Sequence, residues 1–324
     1  MRVLITGGAG FIGSHLAERL LSDGHHVTII DNLSTGSYEN VAALESDRNF
    51  VFFRDTVFNS GLVERVVSEC DSVFHLACAV GVKLIMERPV ETVESIFQGT
   101  AVVLNVASRY RKRVLITSTS EVYGKSQDVP FTEDGDRIEG STQKHRWAYA
   151  AAKALDEFLA LAHWKEFRLP VIITRLFNTV GPRQTGQYGM VLPTFVNKAL
   201  TGQDLLVHGD GTQSRCFCHV GDVTDALIKL MECPQARGRV INVGSAEEIS
   251  ILDLAKKVIG LTGSSSRIRM VPYENVYGEG FEDMARRIPS LERVRSLIGW
   301  KPLTSLDAII NDIIIDMKSR ALMV

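Results

Sequence analysis

The chain opens with Arg2-Val3-Leu4-Ile5-Thr6 and runs straight into Gly7-Gly8-Ala9-Gly10-Phe11-Ile12-Gly13. No other feature narrows the possible folds so far. A β-branched run ends in glycines at 7, 10 and 13. An apolar repeat four residues apart follows at Ile12, Leu16 and Leu20, closed by Gly24. That pattern reads as strand, tight turn and helix. Glycine allows positive φ in the turn, lets a second backbone approach, and lets helix pack closely on strand. A second strand, Val27–Asp31, ends in a carboxylate 18 residues past Gly13.

A turn of this kind leaves the first N–H groups of the helix, and the positive end of its dipole, aimed at whatever lies above the strand ends. The reading is a dinucleotide site. Gly7, Gly10, Phe11, Ile12 and Gly13 face the pyrophosphate, and Asp31 with Asn32 faces a ribose. Asp31 would repel a 2′-phosphate and Asn32-Leu33-Ser34 brings no arginine, so NAD is favoured over NADP. Asp55-Thr56 after the third strand is a candidate adenine contact, with Asp55 as a helix N-cap the compatible alternative. Leu76 and Ala77 end the fourth strand at the cofactor edge, and His75 before them reads as a satisfied core histidine.

Further strands are expected at Phe50–Phe53, Ser72–Leu76, Val114–Thr117 and Val171–Arg175. Several are continuously apolar, as parallel strands covered on both faces are. Strands alternating with helical stretches predict an α/β doubly wound parallel sheet over residues 1–176. From 177 to 324 glycine and proline become frequent. Helices at Val191–Leu200 and Val220–Met231 and strands at Leu205–His208 and Val240–Val243 read as a smaller C-terminal α/β lobe on the same sheet, with the chain crossing between lobes more than once.

Bulk properties exclude other classes. A formal net charge of -2 gives no field to recruit nucleic acid or an anionic membrane. No apolar run approaches the roughly 20 residues a membrane helix needs. Five scattered cysteines fit reduced thiols and a cytoplasmic address, and Cys216-x-Cys218 without a second pair is a poor metal site, so no metal is expected.

Two segments carry chemistry. Ser118-Thr119-Ser120-Glu121-Val122-Tyr123-Gly124 follows a strand, and Tyr149-Ala150-Ala151-Ala152-Lys153 opens a helix. Tyr149 and Lys153 are four apart and share a helix face. An ammonium beside a phenol, together with the positive nicotinamide ring of NAD, lowers its pKa, so Tyr149 can remove a hydroxyl proton while Thr119 hydrogen-bonds the same oxygen. Both Tyr149 and Lys153 are also candidate cofactor contacts.

With these segments in one chain, the sequence resembles the extended short-chain dehydrogenase/reductases that act on nucleotide-sugars: 4-epimerases, 4,6-dehydratases and UDP-glucuronate decarboxylases. The likeness runs over the whole length and includes Arg175–Arg183, His208–Arg215, Arg286-Arg287-Ile288-Pro289 and Gly299-Trp300-Lys301-Pro302. It implies a Rossmann sheet, bound NAD and a UDP-sugar substrate. It also implies that Asn178, Arg215 and Arg287 hold the diphosphate, and that Val191–Phe195 with Leu206–His208 holds the base.

Glu121 bears on the reaction. The similar 4-epimerases carry a small non-acidic residue there, and the similar 4,6-dehydratases carry Asp-Glu where this chain has Ser120-Glu121. Thr-Ser-Glu-Val-Tyr-Gly resembles the decarboxylases, in which oxidation at C4 produces a β-keto acid that loses CO2. Glu121 would then act near C5 or arrange water and the sugar ring, the bland alternative being a buried carboxylate bonded to backbone N–H groups. Ala79-Val80-Gly81-Val82-Lys83 looks more like an epimerase, and Lys83 there is a candidate substrate contact or a solvent-facing helix residue. A UDP-hexose or UDP-hexuronate 4-epimerase is the second enzyme reading, and an NAD-bound scaffold or sensor the non-enzyme one. Apolar residues on several faces of Val90–Tyr110 and Ala148–Lys165, among them Leu155, Phe158, Leu159 and Leu161, predict a homodimer through a four-helix contact.

Overall fold

The computed structural model describes residues 1–78, 88–186, 190–277 and 284–321. Seven parallel strands form the main sheet: β1 (Arg2–Thr6), β2 (His26–Ile30), β3 (Phe50–Phe53), β4 (Ser72–His75), β5 (Arg113–Thr119), β6 (Val171–Leu176) and β7 (Arg239–Val243). Their spatial order is β7-β6-β5-β4-β1-β2-β3. The order reverses at β1 and β4, and the crevice above their carboxyl ends is where doubly wound sheets bind ligands. The sequence reading put Val240–Val243 in a smaller lobe on the same sheet; the structure registers it residue for residue against Ile173–Leu176 as the edge strand of that sheet.

Both faces of the sheet are covered, which is why its strands carry little polar alternation. On one face lie α1 (Phe11–Ser22) and the later helix Val220–Glu232, packed through Leu16, Leu20, Val223 and Leu227. On the other lie α2 (Ser60–Glu69), α3 (Pro89–Arg109) and α4 (Ala148–Phe167), through Val63, Val67, Val103, Leu104 and Ala160. Asn59 caps α2 by accepting from the Leu62 amide, so Asp55 is not the cap; it accepts instead from Asn59 Nδ2 at 2.8 Å.

A third apolar cluster joins Val191–Leu200, Ile251–Thr262 and Leu306–Ala321 through Phe195, Leu254 and Ile309, with the parallel pair Leu205–His208 and Ile268–Val271 against it. It forms the far wall of the crevice. Among the described residues no helix is long and apolar enough to cross a membrane.

Candidate active site

The crevice is a cleft of about 710 Å³, the size of a small-molecule site. Its floor is the glycine turn. Gly7 sits at φ +73°, and a Cβ there would stand 2.7 Å from the Ala77 amide nitrogen. A Cβ on Gly13 would overlap the Gly7 carbonyl. Only glycine lets β1, α1 and the end of β4 meet so closely. Gly10 caps α1 with extended backbone and no side-chain hydrogen bond, which leaves the first N–H groups of α1 without a side-chain cap.

Asp31, just past β2, accepts from the Ala9 amide at 2.9 Å and the Leu33 amide at 2.8 Å. Burial pushes its carboxyl up against those hydrogen bonds. Asn32, Ser34 and Thr35 line the cleft beside it and bring no cation. Asp55, Thr56, Leu76 and Ala77 line the same end. An uncapped helix start, a close-packed glycine turn and a carboxylate at the second strand end fit an adenine dinucleotide without a 2′-phosphate.

The other end of the cleft collects the chemistry. Thr119 ends β5; the turn Ser120–Tyr123 follows, with Ser120 and Glu121 buried. The Glu121 amide donates to Thr119 Oγ1 at 3.2 Å, and the Thr119 hydroxyl hydrogen-bonds Tyr149. Tyr149 and Lys153, one turn apart on α4, face the cleft, both buried. Lys153 Nζ donates to Asp156 Oδ2 at 2.9 Å. Burial alone would depress the ammonium, but the carboxylate outweighs it and Lys153 ends above its ordinary value. The sequence reading expected Lys153 to lower the Tyr149 pKa. Tyr149 is instead raised well above the ordinary phenol value by burial, with Cys78 and Glu121 next in effect. The Asp156 carboxylate, which holds Lys153, also bears on the phenol in the same direction.

Glu121 is not cradled by backbone amides either. Its Oε2 lies 2.6 Å from Arg146 Nη2 and its Oε1 2.6 Å from Arg287 Nη2. Burial would raise its pKa; the charges of Arg287 and Arg146, with Arg215 behind them, overcome that and hold it at about 2. Arg146 also lies over the Trp147 ring at 5.3 Å. Sequence reasoning missed Arg146. The signal available was a cation three residues before Tyr149, one turn upstream on the same approach to α4.

Asn178, Val191, His208 and Arg215 all line the cleft with Arg287. Asn178 Nδ2 donates to the Cys216 carbonyl at 2.8 Å, and Arg215 Nη1 donates to the carbonyls of Ser214 and Met284, each at 2.8 Å. Arg286, adjacent to Arg287, turns away to a bidentate pair with Glu248. Tyr273, also unforeseen, lines the cleft beside His208, ring to ring at 6.5 Å. Lys83 lies outside the described residues. Every other candidate site residue lines this one cleft.

Residues 4–313 match the GDP-mannose 4,6-dehydratase family. The chain belongs to that family. It is an enzyme acting on nucleotide sugars, as the sequence resemblance implied. It is 44% identical over 305 residues to a UDP-N-acetyl-alpha-D-glucosaminuronate decarboxylase of Bacillus cytotoxicus, covering 94% of both chains. It is 35% identical over 312 residues to UDP-glucuronic acid decarboxylase 1 of Danio rerio, covering 96% of this chain and 71% of the relative. Among solved structures, the UDP-glucuronic acid 4-epimerase of Bacillus cereus, in complex with UDP-glucuronic acid and NAD, superposes with a TM-score of 0.89 at 28% identity, over 99% of this chain and 100% of the other.

Proposed function

We propose that the chain is an NAD-dependent UDP-hexuronate decarboxylase, with UDP-glucuronate as its substrate. The observation that carries this is the Glu121–Arg146–Arg287 cluster beside Thr119 and Tyr149. A 4-epimerase has to handle only C4. A buried anion binding two guanidiniums is surplus to that task, and it suits a substrate that brings a carboxylate of its own.

Bound NAD would supply the hydride acceptor at C4 and return the hydride at the end of the cycle. The remaining work falls to side chains. Tyr149 takes the C4 hydroxyl proton, helped by Thr119 on the same oxygen and by the charge on Lys153. Arg146 holds the uronate carboxylate as an anion, the form from which CO2 leaves. When the C5–C6 bond breaks, its electron pair becomes the C4–C5 double bond of an enolate whose charge sits on the C4 oxygen, where the Tyr149 and Thr119 hydroxyls donate hydrogen bonds; a proton from water then goes to C5 and restores the C4 ketone for reduction. A phenol held protonated by its surroundings is suited to that donation. Glu121, at about 2, is a carboxylate at any working pH and a weak base in its resting contacts. Its part is to fix the two guanidiniums, which makes it a positioning residue beside the sugar ring. Arg215, Arg287 and Asn178 take the diphosphate, and Val191, His208 and Tyr273 take the base, on the wall built by the 177–324 lobe. Residues 1–176 carry the cofactor.

The Bacillus relative's name favours a second substrate, the 2-acetamido uronate. Mass analysis of products from UDP-glucuronate, UDP-N-acetylglucosaminuronate and UDP-glucose decides between them. CO2 with a product one carbon shorter supports the proposal, and the preferred uronate names the substrate. Interconversion of C4 epimers with no carbon lost would make the chain a 4-epimerase.

The same reading extends to assembly and setting. Leu155 and Phe158 on α4 are 47% and 63% exposed, and Val90 on α3 is 68% exposed. This supports a homodimer through those helices. Leu159 and Leu161, named with them as apolar residues on several faces, pack partly buried against the chain's own core. The five cysteines form no disulfide, which supports a reducing, cytoplasmic setting.

A further inference from the structure

Behind the catalytic pair, a line of buried polar groups crosses from the wall of the glycine turn to Lys153. The Ala77 amide donates to Thr6 Oγ1 at 3.3 Å. Thr6 Oγ1 and His75 Nδ1 are 2.7 Å apart, and His75 Nε2 and Thr100 Oγ1 are 3.1 Å apart. Thr100 Oγ1 donates to Asp156 Oδ2 at 2.9 Å, the oxygen that also receives Lys153 Nζ. Thr6, His75, Thr100, Lys153 and Asp156 are all at most 3% exposed. The reaction as proposed uses only Lys153.

Proton counting fixes the direction of this line. A carboxylate only accepts, so the single Thr100 proton is committed to Asp156. Thr100 Oγ1 must then accept from His75, which places the imidazole proton on Nε2. Nδ1 is left bare to accept from the Thr6 hydroxyl, whose oxygen accepts from Ala77. Each donor from Ala77 to Thr100 has one acceptor, and the arrangement requires a neutral ring. Burial, followed by the nearby Lys153 charge, drives His75 down to about 3, so the ring stays neutral at working pH. Asp156 Oδ1 makes no hydrogen bond, so the whole hold on Asp156 passes through Oδ2.

The geometry points to Asp156 as the positioning residue for Lys153, itself held in place by Thr100 and a neutral Nε2–H His75. The line ties the ammonium to the backbone that packs on Gly7, so the two ends of the cleft share one rigid support. The charged and titratable groups facing the pair are Tyr149 and Glu157 on α4, Cys78 and His75 at the end of β4, and Glu121 on the turn after β5. Asp156 itself is in direct contact with Nζ, at 2.9 Å.

The inference rests on Lys153 belonging to the catalytic set, not on which sugar is bound. Two measurements separate those questions. Nitrogen-15 NMR of histidine-labelled enzyme without substrate, with the His75 signal assigned by its loss in His75→Gln, should show an Nε2–H tautomer that does not titrate between about pH 5 and 8. An Nδ1–H tautomer or a titrating ring overturns the proton count, whatever the substrate is. In Asp156→Asn, burial acts on Lys153 with only the effects of Cys78 and Glu157 against it, so the alkaline limb of the kcat profile should move to lower pH by about one unit or more. KM for the nucleotide-sugar should stay within about twofold. Thr100→Val keeps the shape and removes the hydroxyl; it should shift the same limb the same way by less, and Thr100→Ser should restore it. This pair carries the test if Asp156→Asn fails to fold. A limb that coincides with the parent enzyme's in Asp156→Asn, or in Thr100→Val where only that variant folds, overturns the assignment.

Discussion

Replacing Glu121 by Gln keeps the shape of the side chain and removes its charge, leaving Arg146 and Arg287 facing each other in a buried pocket with Arg215 close by. The carboxyl is held at about 2 against an ordinary 4.5, a difference worth about 3 kcal/mol of folding stability. Removing one partner of a buried ion pair costs ~3–5 kcal/mol in general, mostly because the other charge is left uncompensated. Because the folded-state pKa is the depressed one, this stabilisation is complete above 4.5 and is lost as pH falls from there toward 2. At pH 7 the Gln variant should therefore unfold at a lower urea midpoint, by about 3 kcal/mol at unchanged m, and it should lack the parent's loss of stability between those two pH values. UDP brings the missing negative charge, so it should raise the midpoint of the variant more than that of the parent. Urea unfolding followed by far-UV circular dichroism, with and without UDP, reads all three effects. A variant as stable as the parent at pH 7 would refute the claim that Glu121 is the counter-charge for these arginines.

Four further outcomes are expected. Tyr149→Phe should lower turnover by roughly 10²–10⁴-fold while leaving binding of UDP-glucuronate, measured by calorimetry, nearly intact. Arg146→Leu should raise KM for a UDP-hexuronate by about 10- to 100-fold, the loss of one charged hydrogen bond, and leave binding of a neutral UDP-hexose little changed. Denatured enzyme should release NAD rather than NADP, read by chromatography, because Asp31 stands at the ribose end without a neighbouring cation. Phe158→Asp should convert a dimer to monomer in light scattering while the far-UV spectrum stays that of the parent, since the ring is exposed within one chain.

Much of this architecture is legible in the sequence because it depends on local signals. The turn at Gly7–Gly13, the strand ends at Asp31 and Thr119 and the Tyr149/Lys153 spacing each follow from a neighbour's residue type, and the structure brings them to one cleft. What stayed hidden depends on partners far apart in the chain. Val240–Val243 reads as a strand from its own residues, but its neighbour β6 and its register appear only in the pairing. Glu121 reads as a buried acid, but its partners Arg146 and Arg287 lie 25 and 166 residues away. Asp156 reads as one more polar residue on a helix, and its bond to Thr100 of α3 appears only once the two helices pack.

The two buried ion clusters bear jointly on Tyr149, and their combined effect favours one half of the proposed reaction. Lys153 would favour the phenolate, but Asp156 cancels most of its charge; Arg146 and Arg287 would do the same, but Glu121 holds them. The resting cleft therefore keeps the phenol protonated, with burial and the Glu121 carboxylate both pushing that way. A hydrogen-bond donor is what the C4 oxygen requires as CO2 departs, and a proton donor is what it requires when the ketone is reduced. The proton-removing half needs extra positive charge near the phenol, and the nicotinamide ring of bound NAD would supply it only while oxidation is still to come. A cofactor whose charge disappears on taking hydride would thus switch Tyr149 from base to acid between the two halves of the cycle. The fixed ion pairs set the starting point from which that switch operates.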